Sequence, residues 1–255
     1  MAIRQSTGLR NFLNNYGSYK NAFTGGKLLI YSGSQPTTAD TAASGTLLVT
    51  ISLGSGTWTA ETPSAATVEL TGGGSGSVDT LVANAIEIMG SATNFTVDLA
   101  TTAAAVAAKI NAYARLQYGI KAAVLSGAII TIYAPMGSGT AWNTKDITSG
   151  VTTITKTDTD FGSGVAAAYG LTFDVSASGV LAKSGTWSGT AVADGTAGWF
   201  RLCGPLTDAQ ALSTTAIRLD GNISTSGANL NLASTTITTS ATITIDTFTI
   251  TVPAS

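Results

Sequence analysis

Thirteen threonines fall between residues 201 and 255, many of them alternating with isoleucine, leucine, valine or phenylalanine. That texture constrains the fold more than any other feature, because β-branched side chains pack well on a pleated surface and lose rotamer freedom in a helix. Charge cannot cover such a surface: Asp, Glu, Lys and Arg make up 10% of the 255 residues, against roughly a quarter in an ordinary soluble domain. Mean hydropathy is positive at +0.30, so serine and threonine take over the solvent-facing role. The length suits one large core or two modest ones.

The pattern along the chain favours two. Residues 27–31 and 46–53 read as strands joined by a Ser, Gly, Pro and Thr loop containing Pro36. From 67 to about 157 the texture changes: strands at 67–71 and 80–89, a helix at 99–117, then strands at 120–125, 128–133 and 147–155. In the helix Leu99, Ala103, Val106, Ala107, Ile110, Tyr113 and Ala114 share one face, Asp98 or Thr101 suits the start and Gly119 the end. Past Gly162-Ser163-Gly164 the threonine-rich pattern resumes. The expectation is a mainly β protein in which residues 1–62 and 163–255 form a discontinuous β-sandwich-like domain. Residues 63–162 form an inserted α/β domain with one helix. Asp194-Gly195 and Asp220-Gly221 read as hairpin turns. A bulge at Asp246-Thr247 would reconcile the phase of Ile243 and Ile245 with that of Phe248, Ile250 and Val252. The phrase Ser-Gly-Thr-Trp occurs at 55–58 and 184–187, too short to establish duplication.

At the N-terminus Arg4, Arg10, Lys20 and Lys27 all precede the first acid, Asp40. Leu9, Phe12, Leu13 and Tyr16 recur at helical spacing, with Ser6 or Thr7 as cap and Gly17 near the end. Such a face either covers its own domain or forms an arm that docks on an acidic groove of a neighbouring subunit.

Chemistry is restricted by residue type. The chain has no histidine and one cysteine, which removes Ser-His-Asp and Cys-His nucleophile systems and His-ligated metal sites. No catalytic residue, cofactor or metal ligand is assigned. Gly72-Gly73-Gly74-Ser75-Gly76 lacks the Lys-Ser or Lys-Thr of a phosphate loop and reads as a flexible hairpin turn. Asp158-Thr159-Asp160 does not continue into a calcium loop, and no local pattern selects a carboxylate pair for glycoside hydrolysis. Net charge is −2, with no basic cluster for nucleic acid. Residues 1–30 lack the apolar run of a secretory signal. No span crosses a membrane: Thr101, Thr102, Lys109 and Asn111 interrupt the most apolar stretch. Cys203 has no partner for an intramolecular disulfide and reads as a buried hydrophobe. Asn94-Phe95-Thr96 and Asn222-Ile223-Ser224 match the glycosylation pattern. Trp58, Trp142, Trp187 and Trp199 are either core residues or, if exposed, anchors for sugars or partners; Trp199 favours core or interface, whereas Trp58 and Trp187 sit beside glycine turns and are more open to a surface role.

Several phrases resemble a family of tailed-bacteriophage virion proteins: Ser6-Thr7-Gly8-Leu9-Arg10-Asn11, Ile30-Tyr31-Ser32-Gly33-Ser34-Gln35-Pro36, Gly198-Trp199-Phe200-Arg201-Leu202 and Ile217-Arg218-Leu219-Asp220-Gly221. Ser226-Gly227-Ala228-Asn229-Leu230 and the strand-rich tail complete the likeness. The resemblance covers both outer segments, and relatives differ in whether they carry the middle insertion. It implies a structural protein of the particle, on the head, neck or tail, made in the host bacterial cytoplasm. Its partners would be copies of itself and other virion proteins: capsid, portal-proximal or tail proteins. The alternative is a receptor- or glycan-binding fibre component. Strands within 235–252 lack Lys, Arg and internal Pro, the residues that discourage edge pairing, so a homo-oligomer is expected. The candidate assembly contacts are Arg4, Leu9, Arg10, Phe12, Tyr16, Trp199, Ile243, Ile245 and Ile250.

Overall fold

The computed structural model describes residues 3–15 and 17–252. The protein is mainly β, its strands nearly all antiparallel, and it divides into two compact units: residues 1–61 with 167–255, and residues 62–166. The chain enters and leaves the inserted unit at one place, where Thr62 and Val165 exchange both backbone hydrogen bonds at 2.9 and 2.8 Å.

The outer unit is built on a nine-stranded sheet. Its path runs Arg4–Gln5, Arg218–Ser224, Gly195–Cys203, Lys27–Ser32, Leu47–Leu53, Trp187–Thr190, Thr242–Ile245. Leu230–Asn231 and Thr236–Ile237 pair off that path. A second sheet of three strands, Thr172–Phe173, Val180–Ser184 and Thr249–Thr251, packs on one face. Aromatic rings fill the space between: Trp187 lies 5.1 Å from Phe173 and 5.4 Å from Phe248, and Phe248 lies 5.7 Å from Phe200. The other face of the large sheet is also dry. There Tyr31 stacks on Trp199 at 4.6 Å, beside Leu29 and Cys203. Burial on both faces explains why Leu28, Leu29, Ile30 and Tyr31 form an unbroken apolar run.

Three turn assignments from the sequence are corrected. Asp220 and Gly221 lie inside the strand Arg218–Ser224, opposite Arg201 and Phe200. Glycine is needed there because a Cβ would meet Phe200 Cε1 at 2.5 Å and Asn229 Cβ at 2.9 Å. Asp194-Gly195 joins Trp187–Thr190 to Gly195–Cys203, strands that are not partners, and Asp194 Oδ1 accepts the Thr239 N–H at 2.6 Å. At Asp246-Thr247 the chain does not bulge within one ladder. It leaves the large sheet after Ile245 and enters the small one at Thr249, so Ile245, Phe248 and Ile250 all point inward despite their change of phase.

In the outer unit α1 (Thr7–Asn15) and α2 (Tyr19–Phe23) follow the first strand. Ser6 Oγ accepts the Leu9 N–H at 3.1 Å and Asp40 Oδ1 accepts the Thr7 N–H at 2.8 Å, which together cap α1.

The inserted unit has two four-stranded sheets and α3 (Leu99–Tyr118). One sheet joins Ile147–Thr152, Ser77–Ala83, Ile86–Glu87 and Thr93–Asn94; the other joins Thr155–Gly162, Ala65–Gly72, Ile129–Tyr133 and Lys121–Ser126. The glycine-rich stretch is therefore a corner, not a hairpin. Residues 72–77 cross between sheets beside residues 152–155, and a Cβ on Gly76 would lie 1.9 Å from Thr152 O. The expected strand 147–155 breaks at the same corner, at Thr153 with φ 66°. The expected strand 80–89 breaks at Asn84 and Ala85, with φ 47° and 63°, into a hairpin. On α3 the predicted stripe is buried from Ala103 to Ala114, while Leu99 and Tyr113 pack at its margin. Asp98 accepts the Thr101 N–H at 2.7 Å, and Gly119 ends the helix at φ 73°.

Candidate functional site

Two features of the outer unit gather the residues that sequence analysis singled out. The first is a buried polar cluster. Arg201 and Asp220 sit opposite each other on adjacent central strands, both fully buried, and pair through two bonds: Nε to Oδ1 at 2.8 Å and Nη2 to Oδ2 at 2.7 Å. Arg218, on the same strand as Asp220, pairs with Asp208 through Nε at 2.7 Å and Nη2.

The remaining guanidinium hydrogens are spent on loop carbonyls. Arg201 Nη2 reaches Thr41 O at 3.1 Å, and Arg218 reaches Ala39 O at 3.3 Å and Ala211 O at 2.8 Å. The loops 33–46 and 205–216 are thereby fixed over the outer face of the large sheet, and the Trp199 indole N–H adds a bond to Ser44 O at 3.2 Å. The planar fork of arginine suits this work, since one side chain can hold a carboxylate and a carbonyl together.

Electrostatics follow from burial. Burial pushes the Asp220 carboxyl up, with Arg201 pulling the other way. Asp208 also feels burial, but the bonds from Arg218 and the Gln210 N–H outweigh it and hold its carboxyl below the ordinary range. The Cys203 thiol, fully enclosed and near Asp208, is pushed up to about 12, and burial raises Tyr31 to about 12 as well.

The second feature is the segment 242–251. It supplies the last strand of the large sheet and an outer strand of the small one. Thr242–Ile245 pairs with Trp187–Thr190 on one side and has no strand on the other among the described residues. Thr249–Thr251 likewise pairs only with Val180–Ala182. Thr242, Thr244, Thr247, Thr249 and Thr251 are exposed, and Asp246 is the one charged residue from 221 to 252. Exposed Val252 follows Thr249–Thr251 and donates its N–H to Gly179 O.

The edges of the inserted unit are treated differently. Asn111 of α3 donates to Ala122 O at 2.8 Å and accepts the Ala122 N–H at 3.1 Å, occupying the outer side of the edge strand Lys121–Ser126. Asp160 accepts the Ile147 N–H at 3.0 Å, and Asp158 accepts the Ser149 N–H at 3.0 Å, on the edge strand Ile147–Thr152. The two acids that resembled calcium ligands thus cap a strand edge. Among the described residues no group of three or more Cys, Asp or Glu side chains could hold a metal. No helix is long and apolar enough to cross a membrane.

Most of the candidate contacts belong to the protein's own core. Leu9 and Trp199 have no exposed surface, and Phe12, Ile245 and Ile250 are buried. The face of α1 covers its own unit instead of reaching a neighbour: a Cβ on Gly8 would fall 2.4 Å from Thr215 O, so the helix lies directly on that backbone. Arg4 is half-buried and donates to Pro36 O, while Arg10 is exposed and donates to Thr7 Oγ1 at 3.0 Å. Ile243 is half-buried on the edge strand, and Tyr16 lies outside the described residues. The sequence pointed to this edge through its lack of Lys, Arg and Pro, but named apolar side chains as the contacts, whereas the side chains left open at the edge are threonines.

The tryptophans offer no free platform. Trp187 and Trp199 are fully buried. Trp142 is half-buried edge-on to Phe161 at 5.0 Å. Trp58 donates to Gly25 O at 2.9 Å and Lys27 Nζ lies over its ring at 4.1 Å.

No family model matches the chain, and neither a curated protein nor a solved structure matches it.

Proposed function

We propose that this protein is a non-enzymatic structural component of a tailed-phage particle, assembling in several copies on the head, neck or tail. The observation that carries the reading is the segment 242–251, whose single charge is Asp246 and which leaves an open edge on both sheets of one sandwich among the described residues. Monomeric proteins blunt such edges with charge, proline or a covering side chain. The inserted unit follows that rule through Asn111, Asp158 and Asp160; the strands Thr242–Ile245 and Thr249–Thr251 do not.

The phrases that resemble virion proteins support the same reading from another side. Arg201, Arg218 and Asp220 fall in the pinning cluster and Trp199 in the sealed face, so these phrases encode a rigid framework. A fibre that binds sugars through tryptophan would need a free indole face, and Lys27 lies over the ring of Trp58.

Mass spectrometry of purified particles, followed by a reconstruction that assigns the chain its position and copy number, tests the proposal. Several symmetric copies per particle are expected. Absence of the chain from intact particles overturns it.

A further inference from the structure

We infer that Thr242–Ile245 pairs with the same strand of a second copy, antiparallel and across a two-fold axis through Thr244, so that the two nine-stranded sheets join into one. This rests on the assembly reading above and names the partner of its open edge.

Sequence and geometry favour a second copy over another protein. A two-fold through Thr244 sets Thr244 opposite itself and Ile243 opposite Ile245, with Thr242 brought to the end of the partner strand, where the chain turns off at Asp246. Directly opposed residues in an antiparallel pair share a face, and these pairs match by exposure. Thr242 and Thr244 are exposed, while Ile243 and Ile245 are half-buried and buried on the other side. Opposed threonines and aliphatic residues are favourable cross-strand partners. The sole charge, Asp246, lies just past the end of the paired strand and away from its own copy. Identical strands repel when like charges face each other. Here none do.

An isologous contact of this kind closes on itself and does not propagate into fibres.

Analytical ultracentrifugation of the full chain at about 100 μM, a concentration at which interfaces of standard size are populated, is the first test. The expected mass is twice the 25.6 kDa of the chain, or an even multiple. Thr244→Lys places two ammonium groups at the axis and should halve that mass, with the far-UV circular dichroism melt unchanged because Thr244 is exposed. Thr244→Cys should form a disulfide-linked dimer on oxidation, since Cα atoms opposed in an antiparallel pair lie about 4.5–5.5 Å apart, within disulfide range. The other thiol, Cys203, is buried and does not compete. A wild-type chain that sediments at its single mass overturns the inference. So does a Thr244→Lys protein that keeps the wild-type mass, or a Thr244→Cys protein that fails to cross-link. If those results accompany a chain found in many copies in particles, only the two-fold pairing fails; a strand donated by another virion protein then fills the edge. Absence from particles defeats the assembly reading itself.

Discussion

Arg201 and Asp220 face each other on neighbouring central strands with no exposed surface between them. Replacing a buried pair with apolar residues is often neutral, but removing one member strands the other charge in the core. Asp220→Ala should therefore cost about 3–5 kcal/mol, read from the midpoint of urea unfolding at unchanged slope. Neighbouring Cys203 gives a second expectation. With its pKa raised to about 12 by burial, and then by Asp208, the thiol has almost no nucleophilic thiolate at neutral pH. Ellman's reagent should leave the native protein unlabelled and react with one thiol per chain once urea unfolds it; rapid labelling without denaturant would contradict the sealed face. Cysteine burial was legible from the sequence, since an unpaired cysteine is among the most buried residue types. The role of Asp220 was not. Asp-Gly is a strong turn signal locally, and only the facing Arg201 and the ring of Phe200 explain why the pair sits in mid-strand.

At the scale of elements, α3 was read nearly whole, because its apolar stripe, cap and terminal glycine all act within the helix. Its Asp98 cap makes a pH prediction with a definite sign. The Thr101 N–H and then its hydroxyl stabilise the carboxylate, so the folded-state value lies below the ordinary 3.8 that the unfolded chain keeps. The cap's contribution is present above pH 3.8 and is lost as pH falls through the lower folded value. The melting temperature followed at 222 nm should thus decline on acidification below that point. In Asp98→Asn, which caps without titrating, the decline should be smaller. An identical decline would assign the acid sensitivity to other carboxylates, such as Asp208. Strand identity was legible in the same way, from alternation and turn residues. Strand partnership was not: the glycine corner at 72–77, the break at Thr153 and the exchange of sheets after Ile245 depend on which distant strand lies alongside.

Over the whole molecule, the texture change in the sequence and the division of the structure differ by a few residues. The inserted unit spans 62–166 against the expected 63–162, because Thr62 and Val165 are themselves partners. Paired residues lie about 5 Å apart, so a short turn can replace everything between them. A chain carrying Gly-Ser in place of residues 62–166 should keep the near-ultraviolet circular dichroism bands of Trp187 and Trp199 and unfold cooperatively. Loss of those bands would mean that the outer unit depends on its guest.

The placement of segment 242–251 also affects the order of events in the cell. Synthesis runs from the N-terminus and domains fold as units, yet Arg4 waits for Asp220, and both sheets wait for strands that leave the ribosome after every strand they complete. Such pairing at long sequence separation is slow. A polypeptide whose translation stops before residue 242 leaves Trp187–Thr190 and Val180–Ser184 without their last partners, so both sheets close only when the final strands arrive.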